Sequence, residues 1–170
     1  MTAGSAGNEG AILNWMYKTA SICRNGHVIT RWGDASPDFN RKFCPDCGQP
    51  AVTACENCRE PIQGMRDGEW QEEFWKYPYF CFNCGQAYPW TADKLDAARE
   101  LVDELEGLDS DERERLKATL PDLIAETPRS QVAALTAKRL ITKARGEARQ
   151  ALVDVLRQVV RESIKAGLGL

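Results

Sequence analysis

The sequence lacks any long apolar run. No stretch approaches the roughly 18 apolar residues that mark a membrane span, which argues against a transmembrane segment. Its opening, Met1-Thr-Ala-Gly-Ser-Ala-Gly-Asn-Glu-Gly10, has neither the basic region nor the apolar core of a secretory signal. A cytoplasmic protein is therefore expected. Histidine is nearly absent, with a single residue, and the seven cysteines are an odd number, so they cannot all pair as internal disulfides. Clustered cysteines in a reducing compartment point to metal. There is no excess of positive charge either: 22 Lys+Arg stand against 25 Asp+Glu, a net charge of −3. Also missing are the Gly-x-x-x-x-Gly-Lys phosphate loop, the Gly-x-Gly-x-x-Gly dinucleotide fingerprint and the Gly-x-Ser-x-Gly nucleophile elbow.

What is present is ordinary in bulk and unusual in distribution. The 170 residues, 43% hydrophobic and 28% charged, suit one soluble domain or two small ones. Residues 1–10 are small and polar and are expected to be disordered. Every cysteine lies between Cys23 and Cys84, and from Ala92 onward Leu, Ala, Glu, Asp, Lys and Arg recur at helical spacing. Pro89-Trp90-Thr91 is the natural border, with Thr91 placed to cap the helix that follows and Asp93 in its first turn. The expected organisation is a zinc domain over 11–90 and a helical domain over 91–170.

Four ligand pairs occur in order: Cys23-x3-His27, Cys44-x2-Cys47, Cys55-x2-Cys58 and Cys81-x2-Cys84. A structural zinc ion takes four ligands in a tetrahedron, so eight ligands make two closed sites. A two-residue spacer lets one tight turn aim both sulfurs at one ion. Gly48 and Gly85 follow the second cysteine of their pairs, where a positive φ brings backbone N–H groups toward the thiolates. Gly26 before His27 suits the same purpose. Two structural Zn2+ ions are expected, with an iron–sulfur cluster the alternative for Cys55, Cys58, Cys81 and Cys84. Sequential pairing puts Cys23, His27, Cys44 and Cys47 on one ion and the last four cysteines on the other, giving two consecutive zinc ribbons. Interleaved, cross-brace pairing is the alternative. The seven residues between Cys47 and Cys55 are long for it.

Such closed sites use every cysteine and the only histidine. No open coordination position remains for water or substrate, and no thiol or imidazole for acid–base or nucleophilic work. No constellation of carboxylate, Ser, Thr, Lys or Tyr stands in, so no catalytic residue is expected.

Between Cys58 and Cys81 lies an aromatic insertion containing Trp70, Phe74, Trp75, Tyr77, Tyr79 and Phe80. It serves either as the mini-core of a small zinc domain or as a partner-binding surface, for which Trp70, Phe74, Trp75 and Tyr77 are the candidates. Base stacking fits less well, since Glu69, Glu72 and Glu73 would repel phosphate.

Charge divides the chain further. Residues 1–90 carry eight basic and ten acidic side chains, and two metallated centres would take that domain to about −5. Residues 91–126 carry five basic and twelve acidic side chains; residues 127–170 carry nine and three. Either these halves face each other, or the basic end meets phosphate, an anionic surface or an acidic partner.

In the helical half, Leu95, Ala98, Val102 and Leu105 mark a helix near 92–106 ended by Gly107. Asp109 or Ser110 caps a helix to Leu120, with Glu112 placed to complete a capping box with Asp109, and Pro121 is expected to stop it. Thr127-Pro128 opens a third helix, to about Arg145. A last one carries a broad stripe from Ala148 through Leu152, Val155, Leu156, Val159 and Val160 to Ile164. This makes an all-α domain of about four helices. The stripe either packs inside its own chain or forms an oligomer seam or partner-docking face.

The run Tyr17-Lys-Thr-Ala-Ser-Ile-Cys-Arg-Asn-Gly-His-Val-Ile-Thr30 resembles the opening of a bacterial zinc-ribbon family catalogued only as a domain of unknown function. Phe43-Cys-Pro-Asp-Cys-Gly48, Cys55-Glu-Asn-Cys58, Phe80-Cys-Phe-Asn-Cys-Gly85, Pro89-Trp-Thr91 and Thr127-Pro-Arg-Ser-Gln-Val-Ala-Ala134 are similar to its later motifs. The resemblance spans about 14–167. It implies a cytoplasmic bacterial protein with two zinc ribbons and a helical tail, and it implies no activity. The functional expectation is a non-catalytic zinc-binding adaptor with a protein partner. The alternatives are a nucleic-acid-binding or transcription-associated factor and a regulatory subunit of an enzyme complex.

Overall fold

The computed structural model describes residues 17–34, 37–66 and 75–169. The expected disorder of residues 1–10 falls outside them, as do Trp70 and Phe74. The chain divides into two compact units between Thr91 and Ala92.

The first unit is built from very short strands. These are β1 (Tyr17–Thr19), β2 (Ser21–Cys23), β3 (Val28–Thr30), β4 (Ala51–Val52) and β5 (Gln63–Arg66). β2 is the centre of an antiparallel three-stranded sheet of order β3-β2-β4, with Ile22 opposite both Val28 and Val52. β1 pairs antiparallel with β5, Tyr17 opposite Arg66. The β-branched residues Ile22, Val28, Ile29, Thr30 and Val52 suit these positions. Gly64 in β5 is required by close approach. A Cβ there would collide with the Arg31 carbonyl oxygen and stand 2.6 Å from that of Lys18.

A small core joins the sheet to the metal-ligand loops. Ala20, Ile22, Val52, Ile62, Tyr88 and Trp90 are buried together with Cys55 and Cys81. Tyr88 and Trp90 stack, ring centroids 4.7 Å apart and 17° from parallel. The Trp90 indole N–H donates to the Pro78 carbonyl at 2.9 Å, which gives the buried ring its polar partner.

The described residues contain five α-helices: α1 (Pro89–Asp103), α2 (Ser110–Ile124), α3 (Ser130–Lys143), α4 (Ala148–Val159) and α5 (Glu162–Leu168). The count exceeds the expected four because the last stretch breaks. Val160 and Arg161 take extended backbone, with ψ of 136° and 150°, and Val160 is thereby buried. α1 starts at Pro89, earlier than expected: proline fits the first helical position, where its missing N–H costs nothing. Thr91 thus lies inside the first turn rather than capping it. The Asp109–Glu112 capping box is formed in both directions, at 2.8 and 3.2 Å.

Pro121 does not stop α2, which continues to Ile124. An interior proline costs about 3 kcal/mol. Continuing the helix buries Leu123 and Ile124 on the same face as Leu116 and Leu120. At about 1.5–3 kcal/mol per side chain of that size, the burial outweighs the cost.

Most of the apolar stripe of the last stretch packs within the chain: Leu152, Leu156, Val159, Val160 and Ile164 are buried, Ala148 and Val155 half-buried, and Val153 beside the stripe is buried too. The large apolar side chains left exposed in the helical unit are instead Val132 and Leu135 on α3. The acidic and basic halves do meet. Lys143 pairs with Glu112 at 2.6 Å, Arg129 with Asp122 at 3.3 Å and Arg161 with Glu126 at 3.7 Å. No helix among the described residues is long and apolar enough to cross a membrane.

Candidate metal centres

Three loops of the first unit repeat one backbone design. In each, the first cysteine's N–H bonds the carbonyl five residues on, and the residue four on bonds back to that cysteine's carbonyl. The pairs are Cys44 with Gln49 and Gly48, Cys55 with Glu60 and Arg59, and Cys81 with Gln86 and Gly85, all at 2.8–2.9 Å. Isolated bridges close each loop: Phe43 with Pro50, Ala54 with Pro61, Phe80 with Ala87. The design needs a left-handed residue just after the second cysteine. Gly48 (φ 70°) and Gly85 (φ 71°) supply it, and in the middle loop Arg59 adopts φ 65° despite its side chain. The fourth pair is built differently. Cys23 ends β2 and His27 precedes β3, with the turn between them closed by Gly26 at φ 90°.

These loops bring the eight residues together in two groups, Cys23, His27, Cys44, Cys47 and Cys55, Cys58, Cys81, Cys84. In each group the ligand atoms all lie within 4.8 Å of one another. This is the sequential arrangement, not the interleaved one. In the first, Cys23 and Cys47 sulfurs are 3.7 Å apart, and His27 Nδ1 is 3.3 Å from Cys47 and 3.6 Å from Cys44. In the second, the distances are 3.7 Å for Cys55–Cys84 and 3.6 Å for Cys58–Cys81. A tetrahedron with metal–sulfur bonds of ~2.3 Å has sulfur–sulfur edges of ~3.8 Å and sulfur–nitrogen edges of ~3.6 Å. The spacing matches one ion per group.

Protonation differs within each group. Burial raises the Cys23 thiol and pushes Cys81 up to about 11. Their less buried partners go the other way. The backbone N–H of Gln49 leads the effects that lower Cys47, and the Asn57 side chain leads those that bring Cys84 down to about 6. A cation that accepts thiolates would displace the protons still held.

Tyr88 bears on the fit. Its ring is 1% exposed, and its hydroxyl is buried without a hydrogen-bond partner in the described structure. Burial first, then the charge of Cys81 and the closeness of its sulfur to the hydroxyl, with smaller effects from Cys55 and Cys58, raises its pKa. A buried hydroxyl needs an acceptor, and a metal-held thiolate at Cys81 is one.

Of the aromatic insertion, Trp75 and Tyr77 are half-buried against the mini-core, with the Arg31 guanidinium 5.3 Å from the centre of the Trp75 ring. Tyr77 meets Trp90 edge-on at 6.2 Å. Sequence reasoning did not single out Tyr88, Asn57 or Arg59. Arg59 was findable, since it occupies the loop position that glycine holds in the other two. Nor did it single out Phe39, Phe43 and Phe82, which are 62%, 60% and 56% exposed.

The fold and its two four-ligand groups define a class: a small strand-built unit with two consecutive Cys/His clusters, each spaced to hold one metal ion, followed by an all-α unit. A family model described as "Uncharacterized protein conserved in bacteria (DUF2321)" matches residues 16–168. The chain belongs to that family. No curated protein and no solved structure matches it.

Proposed function

We propose that the chain is a non-catalytic zinc protein, in which two structural Zn2+ ions hold an adaptor that binds other proteins. The tetrahedral spacing of the two ligand groups carries the metal part of this reading. Thiolate and imidazole donors in that geometry suit zinc. A multi-iron cluster places its cysteines on different irons, which needs sulfurs spread wider than one ion's tetrahedron. With four protein ligands per ion, no position is open to substrate, which favours a structural role over catalysis.

The exposed Phe39, Phe43 and Phe82 of the metal unit favour protein contact. Aromatic side chains, Phe included, are enriched in protein–protein interfaces relative to the rest of the surface. Native mass spectrometry and elemental analysis should give two zinc ions per chain; iron in either centre would displace the zinc reading. A tagged pull-down from the native host, with and without nuclease, tests the adaptor. A stoichiometric, nuclease-resistant protein is expected, and a lone monomer would refute it.

One observation favours a nucleic-acid-binding role as the second reading: Lys138, Arg139 and Arg145 have no carboxylate partner among the described residues. Partners lost on nuclease treatment, with binding that weakens steeply in salt, would move it to the front.

A further inference from the structure

We propose that the groove where α3, α4 and the end of α5 meet is a docking site for an acidic peptide bearing one aliphatic anchor residue. The groove encloses about 340 Å³, at the small end of the range of ligand-binding pockets. Lys138, Arg149 and Arg157 stand on its walls, and Ile141, Val153 and Leu168 give it an apolar floor. Those three floor residues are each 6–7% exposed, so the groove is where the core reaches the surface.

The cations are placed by the fold. Arg149 donates from Nε to the Ile141 carbonyl at 2.8 Å, which anchors the guanidinium. Arg157 is paired with Asp154 at 3.0 Å, and the Gln150 amide donates to the same carboxylate at 3.0 Å. Lys138 has no carboxylate partner among the described residues and lies beside Gly169, where a Cβ would stand 3.4 Å from its Nζ. Among the described residues, and with Asp154 counted, the groove carries two net positive charges. They are what remains here after the acidic α2 side has taken Lys143, Arg129 and Arg161.

The chemistry selects the occupant. Three cations are few for a nucleic-acid tract, which engages about 6–10 phosphates, and neither sugar nor phosphate would use the apolar floor. A peptide carboxylate pairs with Arg149 in the planar geometry a guanidinium favours, or with the Lys138 ammonium as a point charge, while an aliphatic side chain between its acids covers Ile141, Val153 and Leu168. The proposal deepens the adaptor reading, and rests on it only for the expectation that the partner is a protein.

The test is amide-shift mapping on the zinc-loaded full chain titrated with acetyl-Glu-Asp-Leu-Asp-Glu-amide. Shifts should cluster around 138–142, 149–157 and 168–169, and weaken as salt rises. The Lys138→Gln/Arg157→Gln double variant changes exposed side chains and should weaken binding at least fivefold. Arg149→Gln should weaken it too, with α3 and α4 signals showing whether the fold is kept. No shifts, shifts elsewhere, or equal binding of the same peptide with Ser for Leu would overturn the proposal. So would tighter binding of inorganic phosphate or of a single-stranded oligonucleotide. If the peptide fails while the pull-down returns a protein, the groove falls and the adaptor stands. If the peptide binds and the pull-down is empty, the reverse holds.

Discussion

Stripping both metal ions should unfold the first unit and leave the second standing. Structural zinc contributes about 10–16 kcal/mol per site in finger peptides, and the whole net stability of a domain is about 5–15 kcal/mol. Losing two ions therefore exceeds what the first unit has. Among the described residues, its core outside the ligands is small: Ala20, Ile22, Val52, Ile62, Tyr88 and Trp90, with Met65 also buried. The chain supplies its own separated probes. All five Trp, four Tyr and five Phe lie at or before Trp90, so near-ultraviolet dichroism reports on the first unit alone. Of the 63 residues in the five helices, 60 lie beyond Thr91, so far-ultraviolet dichroism at 222 nm reports on the second. Excess chelator with a non-thiol reductant, metal loss verified by elemental analysis, should abolish the aromatic bands and keep about nine-tenths of the 222 nm signal. Aromatic bands that survive verified metal loss would refute the reasoning. Loss of the 222 nm signal in step with them would refute the independence of the helical unit.

Arg59→Gly should stabilise the metal-loaded first unit by about 0.5–1 kcal/mol, because relieving a left-handed non-glycine residue gains ~1–2 kcal/mol and glycine's extra unfolded freedom returns ~0.5–1. Gly48→Ala should do the opposite, since open space surrounds its Cβ position and only the φ of +70° resists; urea midpoints read by tryptophan fluorescence check both. Tyr88→Phe should speed chelator capture of one ion of the two, that held by Cys55, Cys58, Cys81 and Cys84, with identical traces for variant and parent the refuting result. The Glu112 carboxyl is held below its usual range by its hydrogen bond to Lys143 and then by the Asp109 N–H. A depressed carboxylate stabilises above its unfolded pKa and loses that contribution as pH falls through the folded value. Glu112→Gln should therefore lower the urea midpoint at 222 nm at pH 7 and leave it nearly unchanged near pH 3.

The two ligand clusters were legible because their geometry is mostly covalent. A two-residue spacer can aim both sulfurs only one way, and the seven residues between Cys47 and Cys55 let each four-ligand group close on itself. The sheet that carries them was legible in kind but not in pairing. β1 meets β5 across more than forty residues, and nothing in runs of two to four residues announces such a partner. Tyr88 was hidden for a related reason: one residue before Pro89-Trp90, it reads as border, and only the packing of its ring on Trp90 turns its hydroxyl into a group without a partner.

In the helical unit, local chemistry was readable where it satisfies backbone groups directly. The Asp109–Glu112 box formed as its four-residue pattern requires. Thr127 also binds the Arg129 N–H, at 3.1 Å, although α3 starts only at Ser130. Local rules failed where burial outbid them. Pro121 lies inside α2 because Leu123 and Ile124 gain more from the core than the helix loses at one missing N–H. The break at Val160–Arg161 is the converse. No proline or glycine marks it, yet the turn allows Val160 and Ile164 both to be buried, at 3% and 2% exposure. The same packing takes the apolar stripe of the last stretch into the chain's own core and leaves Val132 and Leu135 of α3 outside. A periodic apolar pattern identifies a face; which face meets solvent is decided by the competition among helices for one core.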